Sequence, residues 1–350
     1  MSHIAIPASL PTRRIGATAI TVSELGFGAA TLGNLYQPVS DDEARSAISA
    51  ALDAGMTYID TAPHYGRGLS ERRVGDALRG RTGVTISSKV GRLLRPWRGG
   101  GDTAIRDGFV SPMPFRAQYD YSHDAILRSC EDSLQRLGLA HIDIVYVHDI
   151  GALTHGADDG RHWQALTAGG GFRALARLRD EGVIGAFGLG VNEVAVCERA
   201  MAETRLDVIL LAGRYTLLDQ SALDGLLPAC LAQQTSIVIG GPYNSGILAT
   251  GTRGGGAMHY DYAPASAAVI ARVAAIETIA QAFGVDLPAA ALAFVLAHPA
   301  VASVIPGMGS ARRVAQTLAL HAALIPTEFW MALREAGLIR PDAPVPGEIQ

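Results

Sequence analysis

Asp60, Tyr65, Lys89 and His148 are the residues of this 350-residue chain whose types and spacing could move a proton together with a hydride. Taking a hydride from a carbon that bears a hydroxyl also requires removal of the hydroxyl proton. Tyrosine ordinarily titrates near about 10, too high for a base at neutral pH. A neighbouring ammonium favours the phenolate. A carboxylate beside that ammonium would hold it in place, and an imidazole could hydrogen-bond the substrate oxygen. Run in reverse, the same tyrosine protonates a carbonyl oxygen. No metal is needed, and no metal-ligand spacing is seen. Lys89 also stands out by count. Lys and Arg together number 29, and Lys89 is the only lysine. Arginine cannot lose its proton in a protein, so it cannot replace a lysine that must be tuned. Composition alone leaves Lys89 open between a leftover of arginine-rich coding and a requirement.

The elements that must position these side chains alternate. Residues 14–22 read as a small hairpin around Gly16. Strands are expected at 24–28, 57–60, 84–88, 142–148, 184–189, 206–211, 236–239 and 302–305. Helices are expected at about 40–54, 70–78, 123–137, 172–180, 193–202, 220–231, 265–283, 287–298 and 311–320. Ser40 followed by Glu43 is a capping box at the start of the first. Eight strands, each followed by helix, predict parallel strands with crossover connections. Eight such units over about 300 residues suit a closed (β/α)8 TIM barrel. One domain spanning 1–350 is expected, with a barrel core at about 22–320 and a C-terminal tail at 321–350. Asp60, Lys89 and His148 fall at the ends of the second, third and fourth strands, and Tyr65 lies five residues beyond Asp60. In a barrel those ends converge on one mouth, which moves Lys89 from leftover to requirement. The long segment 91–121 opens on the same face, as a lid or as a tolerated insertion. The glycine-rich pieces at 98–101, 169–171 and 251–256 are placed in loops or beside helices.

Other functions are excluded by composition. The formal charge is -4, with 18% charged residues, so no basic excess points to nucleic acid. No apolar run reaches the roughly 18 residues that span a membrane. Residues 1–14 lack the pattern of a signal peptide. Cys130, Cys197 and Cys230 fit no zinc or CxxC spacing and read as small buried apolar residues. A reduced, cytoplasmic protein is expected, as a monomer or small homo-oligomer.

The run Asp60-Thr-Ala-Pro-His-Tyr65-Gly-Arg-Gly-Leu-Ser-Glu-Arg-Arg-Val-Gly-Asp-Ala-Leu78, with Ser88-Lys89 and Val147-His148-Asp149 behind it, resembles the aldo-keto reductase signature. The resemblance extends from about Arg13 to Leu320. It implies a TIM barrel that binds NAD or NADP across its mouth without a Rossmann domain. Gly26-Phe-Gly-Ala-Ala-Thr accordingly lacks the third glycine of a dinucleotide fingerprint. The resemblance also implies that Asn192 holds the nicotinamide carboxamide and that Gly241, Tyr243 and Ser245 belong to the pyrophosphate loop. Gly307, Arg313 and Gln316 would lie in the adenosine-phosphate segment, ahead of a helix whose N-terminus favours anions. This chain departs from the family in three places. Ala212 stands where a glutamine usually holds the carboxamide, and Gly240 where an aromatic usually stacks on the nicotinamide; Tyr215 is the expected substitute. Gly307 stands where a lysine often meets the 2′-phosphate of NADP. NAD is therefore the expected cofactor, with NADP second.

Within the family, the tighter resemblance is to a subgroup of L-fucose, D-threo-aldose and pyridoxal dehydrogenases. It implies oxidation of a cyclic hemiacetal to a lactone, on a free aldose of the L-fucose, D-arabinose or L-galactose type. Pyridoxal 4-dehydrogenase and general aldehyde reductase are the alternatives. A sugar site needs polar groups beside an aromatic face, and His64, Trp97 and Asp149 are the candidates. Trp97 reads equally as loop packing. From a different class, Lys89 could serve a Schiff-base aldolase, although Asp60 favours its charged form.

Overall fold

The computed structural model describes residues 10–99, 105–254 and 258–348. Parts of the two glycine runs at 98–101 and 251–256 lie outside the described residues, as does most of the segment read for a leader. Eight parallel strands form the central sheet: β1 (Phe27–Gly28), β2 (Tyr58–Asp60), β3 (Thr85–Val90), β4 (Ile142–His148), β5 (Ile184–Val191), β6 (Val208–Ala212), β7 (Ser236–Gly240) and β8 (Val301–Ile305). Each pairs with its sequence neighbour. The first and last strands close on each other through Gly26 N to Val304 O (2.9 Å) and Val304 N to Glu24 O (2.8 Å). The barrel expected from the alternation is thus formed. Its strands are apolar on both faces, because one side meets the interior and the other the helices.

Besides helical segments at Ala152–His155, Asp159–Leu166 and Ile247–Thr250, the helices are α1 (Asp41–Asp53), α2 (Leu69–Leu78), α3 (His123–Leu137), α4 (Gly171–Asp180), α5 (Val194–Glu203), α6 (Leu226–Gln233), α7 (Ala267–Phe283), α8 (Leu287–Leu296), α9 (Ala311–His321) and α10 (Thr327–Glu335). The Ser40–Glu43 capping box opens α1 with both of its reciprocal bonds. The helix expected over 220–231 is broken. Asp219 accepts from Ser221 N and Oγ, and Gly225 leaves helical dihedrals before α6 begins. Residues 321–348 do not trail away. Phe329, Trp330 and Leu333 are fully buried, with Phe329 beside Phe283 and Trp330 beside Phe294. All three cysteines are buried and unbonded to one another.

The barrel interior holds Tyr58, Ile144, Tyr146, Ala186, Val208, Leu210, Val238, Ala302 and Ile305. Ile15 and Val22, from an antiparallel hairpin of Thr12–Arg14 with Thr21–Ser23, join that cluster and seal its lower end. Gly16 makes the seal fit. Its φ is +51°, and a Cβ there would come within 2.6 Å of Asp207 O.

Segment 91–121 is structured where it is described. Arg92–Pro96 pairs antiparallel with Phe115–Tyr119, and Ile105–Arg106 with Phe109–Val110. A further hairpin, His259–Tyr260 with Ala263–Pro264, follows β7. Among the described residues no single helix is long and apolar enough to cross a membrane.

Candidate active site

Register places the site. Asp60 of β2 lies opposite Ser87 of β3, Lys89 of β3 opposite Tyr146 of β4, and His148 of β4 opposite Gly190 of β5. Tyr65 begins a tight turn, Tyr65–Gly68, that crosses the mouth on left-handed residues Gly66 and Arg67. The turn rests on Gly33, where a Cβ would come within 2.5 Å of the Tyr65 carbonyl carbon. The four expected residues are thereby brought together. Lys89 Nζ lies 4.7 Å from the Tyr65 ring centroid, and the Tyr65 and His148 rings stand 6.1 Å apart, nearly perpendicular.

Lys89 is 2% exposed. Its ammonium donates to Asp60 Oδ2 (2.6 Å), Asp60 Oδ1 (2.8 Å) and Thr61 O (3.0 Å). An ammonium has three protons, so none remains for Tyr65. Asp60 Oδ1 also accepts from Ser87 Oγ (2.7 Å). Ser87 in turn contacts Tyr58 Oη (3.0 Å), and Tyr58 contacts Tyr146 Oη (2.9 Å). The pair is therefore fixed from beneath by a hydrogen-bonded chain inside the barrel.

The electrostatics revise one sequence argument. A single ammonium was expected to lower Tyr65, but Asp60 balances that charge. Burial first, and then the charges of Asp60, Tyr262 and Asp149, hold Tyr65 well above the ordinary tyrosine value, with Arg92 opposing them. Tyr65 is thus a phenol at neutral pH, ready as an acid and scarce as a base. Burial, then Arg92, Lys89 and His64, push His148 well below the usual histidine value, so it stays neutral. The pH dependence follows in sign. Oxidation, which needs the phenolate, should speed up about tenfold per pH unit from neutrality until Tyr65 titrates. Reduction, which needs the phenol, should stay flat over the same range. Initial rates in both directions between pH 6 and pH 9 (a range of about three units) test this; an oxidation rate independent of pH would remove Tyr65 as the base.

The expected substrate residues divide. His64 packs edge-on to Phe109 (5.3 Å) and His148 (5.8 Å). Asp149 reaches His148 Nε2 (3.5 Å) and ion-pairs with Arg92. Trp97 makes no ring contact with Tyr65, His64 or His148 among the described residues; its ring lies under the Arg106 guanidinium (4.6 Å), as packing. Three neighbours were missed by sequence reasoning. Phe109 also lies 6.2 Å from Tyr65, Arg92 is 5% exposed behind Asp149, and Tyr262 stands near Asn192. Arg92 and Phe109 sit in short strands within segment 91–121 and Tyr262 in a turn, all outside the barrel elements that periodicity marks.

The cofactor residues fit their expected group with one exception. Gly241 (φ +55°), Asn244, Ser245 and Gly246 form a loop of left-handed turns after β7, whose backbone can approach a phosphate closely. The buried Tyr243 hydroxyl has no hydrogen-bond partner among the described residues. Ser310 caps α9 by accepting from Arg313 N (3.3 Å), and Arg313 and Gln316 are exposed on that helix. Gly307 lies on the strand-end bridge with Gly28. Asn192 Nδ2 points at Tyr262 Oη (3.4 Å). Tyr215 is the exception, and its expected role against the nicotinamide is withdrawn. The side chain turns outward from the barrel, fully buried, with its ring 5.4 Å from Phe294 and from His298.

The aldo/keto reductase family profile matches residues 24–337. Pyridoxal 4-dehydrogenase of Microbacterium luteolum is 44% identical over 335 residues, covering 93% of this chain and 97% of its own. D-threo-aldose 1-dehydrogenase of a Pseudomonas species is 40% identical over 330 residues, covering 92% and 96%. Among solved structures, a holo aldo-keto reductase of Bacillus halodurans superposes with a TM-score of 0.69 at 24% identity, over 93% of this chain and 96% of its own, which speaks to fold. The aldolase reading of Lys89 is set aside, and the chain belongs to the aldo/keto reductase family as an NAD(P)-dependent oxidoreductase.

Proposed function

We propose that this enzyme oxidises a free aldose of the L-fucose, D-arabinose or L-galactose type at its anomeric carbon, giving the lactone. The observation that carries the reading is the wall beside Tyr65. His64, His148 and Asp149 offer polar groups next to the Phe109 ring, which suits hydroxyls on one side of a sugar and its apolar face on the other. The 40% identity to a D-threo-aldose 1-dehydrogenase supports it. In this reading Tyr65 Oη takes the proton of the anomeric hydroxyl, and His148 hydrogen-bonds the same oxygen. The ring oxygen activates the carbon for hydride loss as its C–O bond becomes a carbonyl. The bound nicotinamide supplies the acceptor for that hydride. Asp60 and Lys89 hold the charge under the Tyr65 ring.

A second reading is favoured by the 44% identity to a pyridoxal 4-dehydrogenase and by Phe109, which suits an aromatic ring. Pyridoxal closes its own aldehyde onto the neighbouring hydroxymethyl group, so it too is a cyclic hemiacetal. Both substrates ask the same chemistry of Tyr65. A panel of free aldoses, pyridoxal and simple aldehydes, followed at the reduced-nicotinamide absorbance, separates them. Turnover of pyridoxal with silence on every aldose would overturn the sugar assignment, and activity only as reduction of simple aldehydes would overturn both.

NAD is proposed over NADP because Gly307 offers no cation to a 2′-phosphate, although Arg312 and Arg313 remain exposed. A charge-assisted contact contributes about 1.5–3 kcal/mol, so kcat/KM should favour NAD by about tenfold or more. Equal or better use of NADP would refute this.

A further inference from the structure

We propose that Arg92 is a positioning residue for the reaction: by holding the Asp149 carboxylate, it fixes the His148 imidazole beside Tyr65. Arg92 lies three residues past Lys89, at the start of Arg92–Pro96. Its Nη2 contacts Asp149 Oδ2, and the same oxygen lies 3.5 Å from His148 Nε2. One carboxylate oxygen thus stands between the guanidinium and the imidazole and packs against both. The Arg92 guanidinium is braced from behind by the Tyr119 ring, 5.1 Å from its centroid. Asp149 is itself held in a left-handed conformation (φ +47°) by its N–H to Gly190 O (2.9 Å). Tyr121 Oη donates to the His148 carbonyl (2.9 Å), fixing that backbone.

The arrangement is costly as structure. A buried ion pair seldom stabilises a fold, because desolvation offsets its attraction. Here Arg92 Nε is also buried with no hydrogen-bond partner among the described residues, and Asp149, not a glycine, carries the left-handed strain. Such costs concentrate where a site needs groups held in place. The groups that face His148 are Arg92, Lys89, His64, Asp149, Tyr65 and the Tyr121 hydroxyl. Of these, Arg92 and Asp149 also act on Tyr65 with opposite sign. Removing either should loosen His148, yet the two removals should move the titration of Tyr65 in opposite directions. A packing role would not do that.

The inference rests on Tyr65 and His148 acting as read above. Its test uses the holoenzyme with NAD and L-fucose, or pyridoxal if the sugar is silent, and compares Arg92→Gln, Arg92→Lys and Asp149→Asn. Arg92→Gln should lower kcat about tenfold or more, with KM and NAD affinity within about threefold. Its oxidation profile should move to higher pH, and that of Asp149→Asn to lower pH. Arg92→Lys keeps the charge, so its profile should stay in place while kcat falls less. If Arg92→Gln does not fold, the other two variants decide by the same readouts. A kcat within twofold of wild type at an unmoved profile, or equal shifts in one direction, overturns the role of Arg92. Full activity in Tyr65→Phe would instead overturn the reading beneath it.

Discussion

Tyr65→Phe is expected to lower kcat for oxidation by about 10³-fold while cofactor binding stays within about twofold. The substitution removes one oxygen and nothing else the fold uses. The Tyr65 hydroxyl has no hydrogen-bond partner among the described residues, so its loss strands no buried donor or acceptor. The ring keeps its packing on Phe109 and its place over Lys89. Stability should therefore be unchanged, and a melting temperature equal to wild type is part of the expected result. Cofactor binding, followed by quenching of protein fluorescence, separates loss of chemistry from loss of the complex. Turnover within tenfold of wild type would remove Tyr65 from the proton transfer.

Lys89 should respond on both stability and rate. Lys89→Met leaves the Asp60 carboxylate buried without its cation, a loss expected to cost about 3–5 kcal/mol. Melting should fall by several degrees or more, and Asp60→Asn placed in the same chain should restore most of it. Activity should not return in that double variant, because the ammonium beside the Tyr65 ring is gone. Lys89→Arg keeps the charge but not the geometry. The space is closed by the Tyr65 and Tyr146 rings and by Asp60, and a planar guanidinium cannot occupy the three-donor position of the ammonium. Its kcat should fall about 10²-fold. A Lys89→Arg enzyme with wild-type rate would show that charge alone suffices.

The sequence disclosed what depends on short-range pattern. Asp60, Lys89 and His148 were legible because strand ends in a barrel converge, and the first helix because Ser40 and Glu43 are three residues apart. What failed depends on direction or on distance along the chain. Tyr215 lies three residues beyond the end of β6, yet spacing cannot say that its ring turns outward onto Phe294. Trp97 shares a segment with Arg92, and only the pairing of Arg92–Pro96 with Phe115–Tyr119, about twenty residues away, brings Arg92 against Tyr119 and Asp149 while Trp97 meets Arg106. The field at Tyr65 is hidden from the sequence for a related reason. Counting lysines shows that Lys89 matters, but not that Asp60 and Thr61 take all its protons.

The sealed lower end of the barrel has a further consequence. In the proposed reaction each oxidation deposits one proton on Tyr65, and that proton must reach solvent before the next turnover. Beneath Asp60 the chain Ser87, Tyr58 and Tyr146 ends among apolar side chains closed by Ile15 and Val22. Among the described residues the interior is a cul-de-sac, closed at the floor by Ile15 and Val22. Proton, product and spent cofactor must all leave by one doorway, which makes the loops around that opening the traffic control of the catalytic cycle.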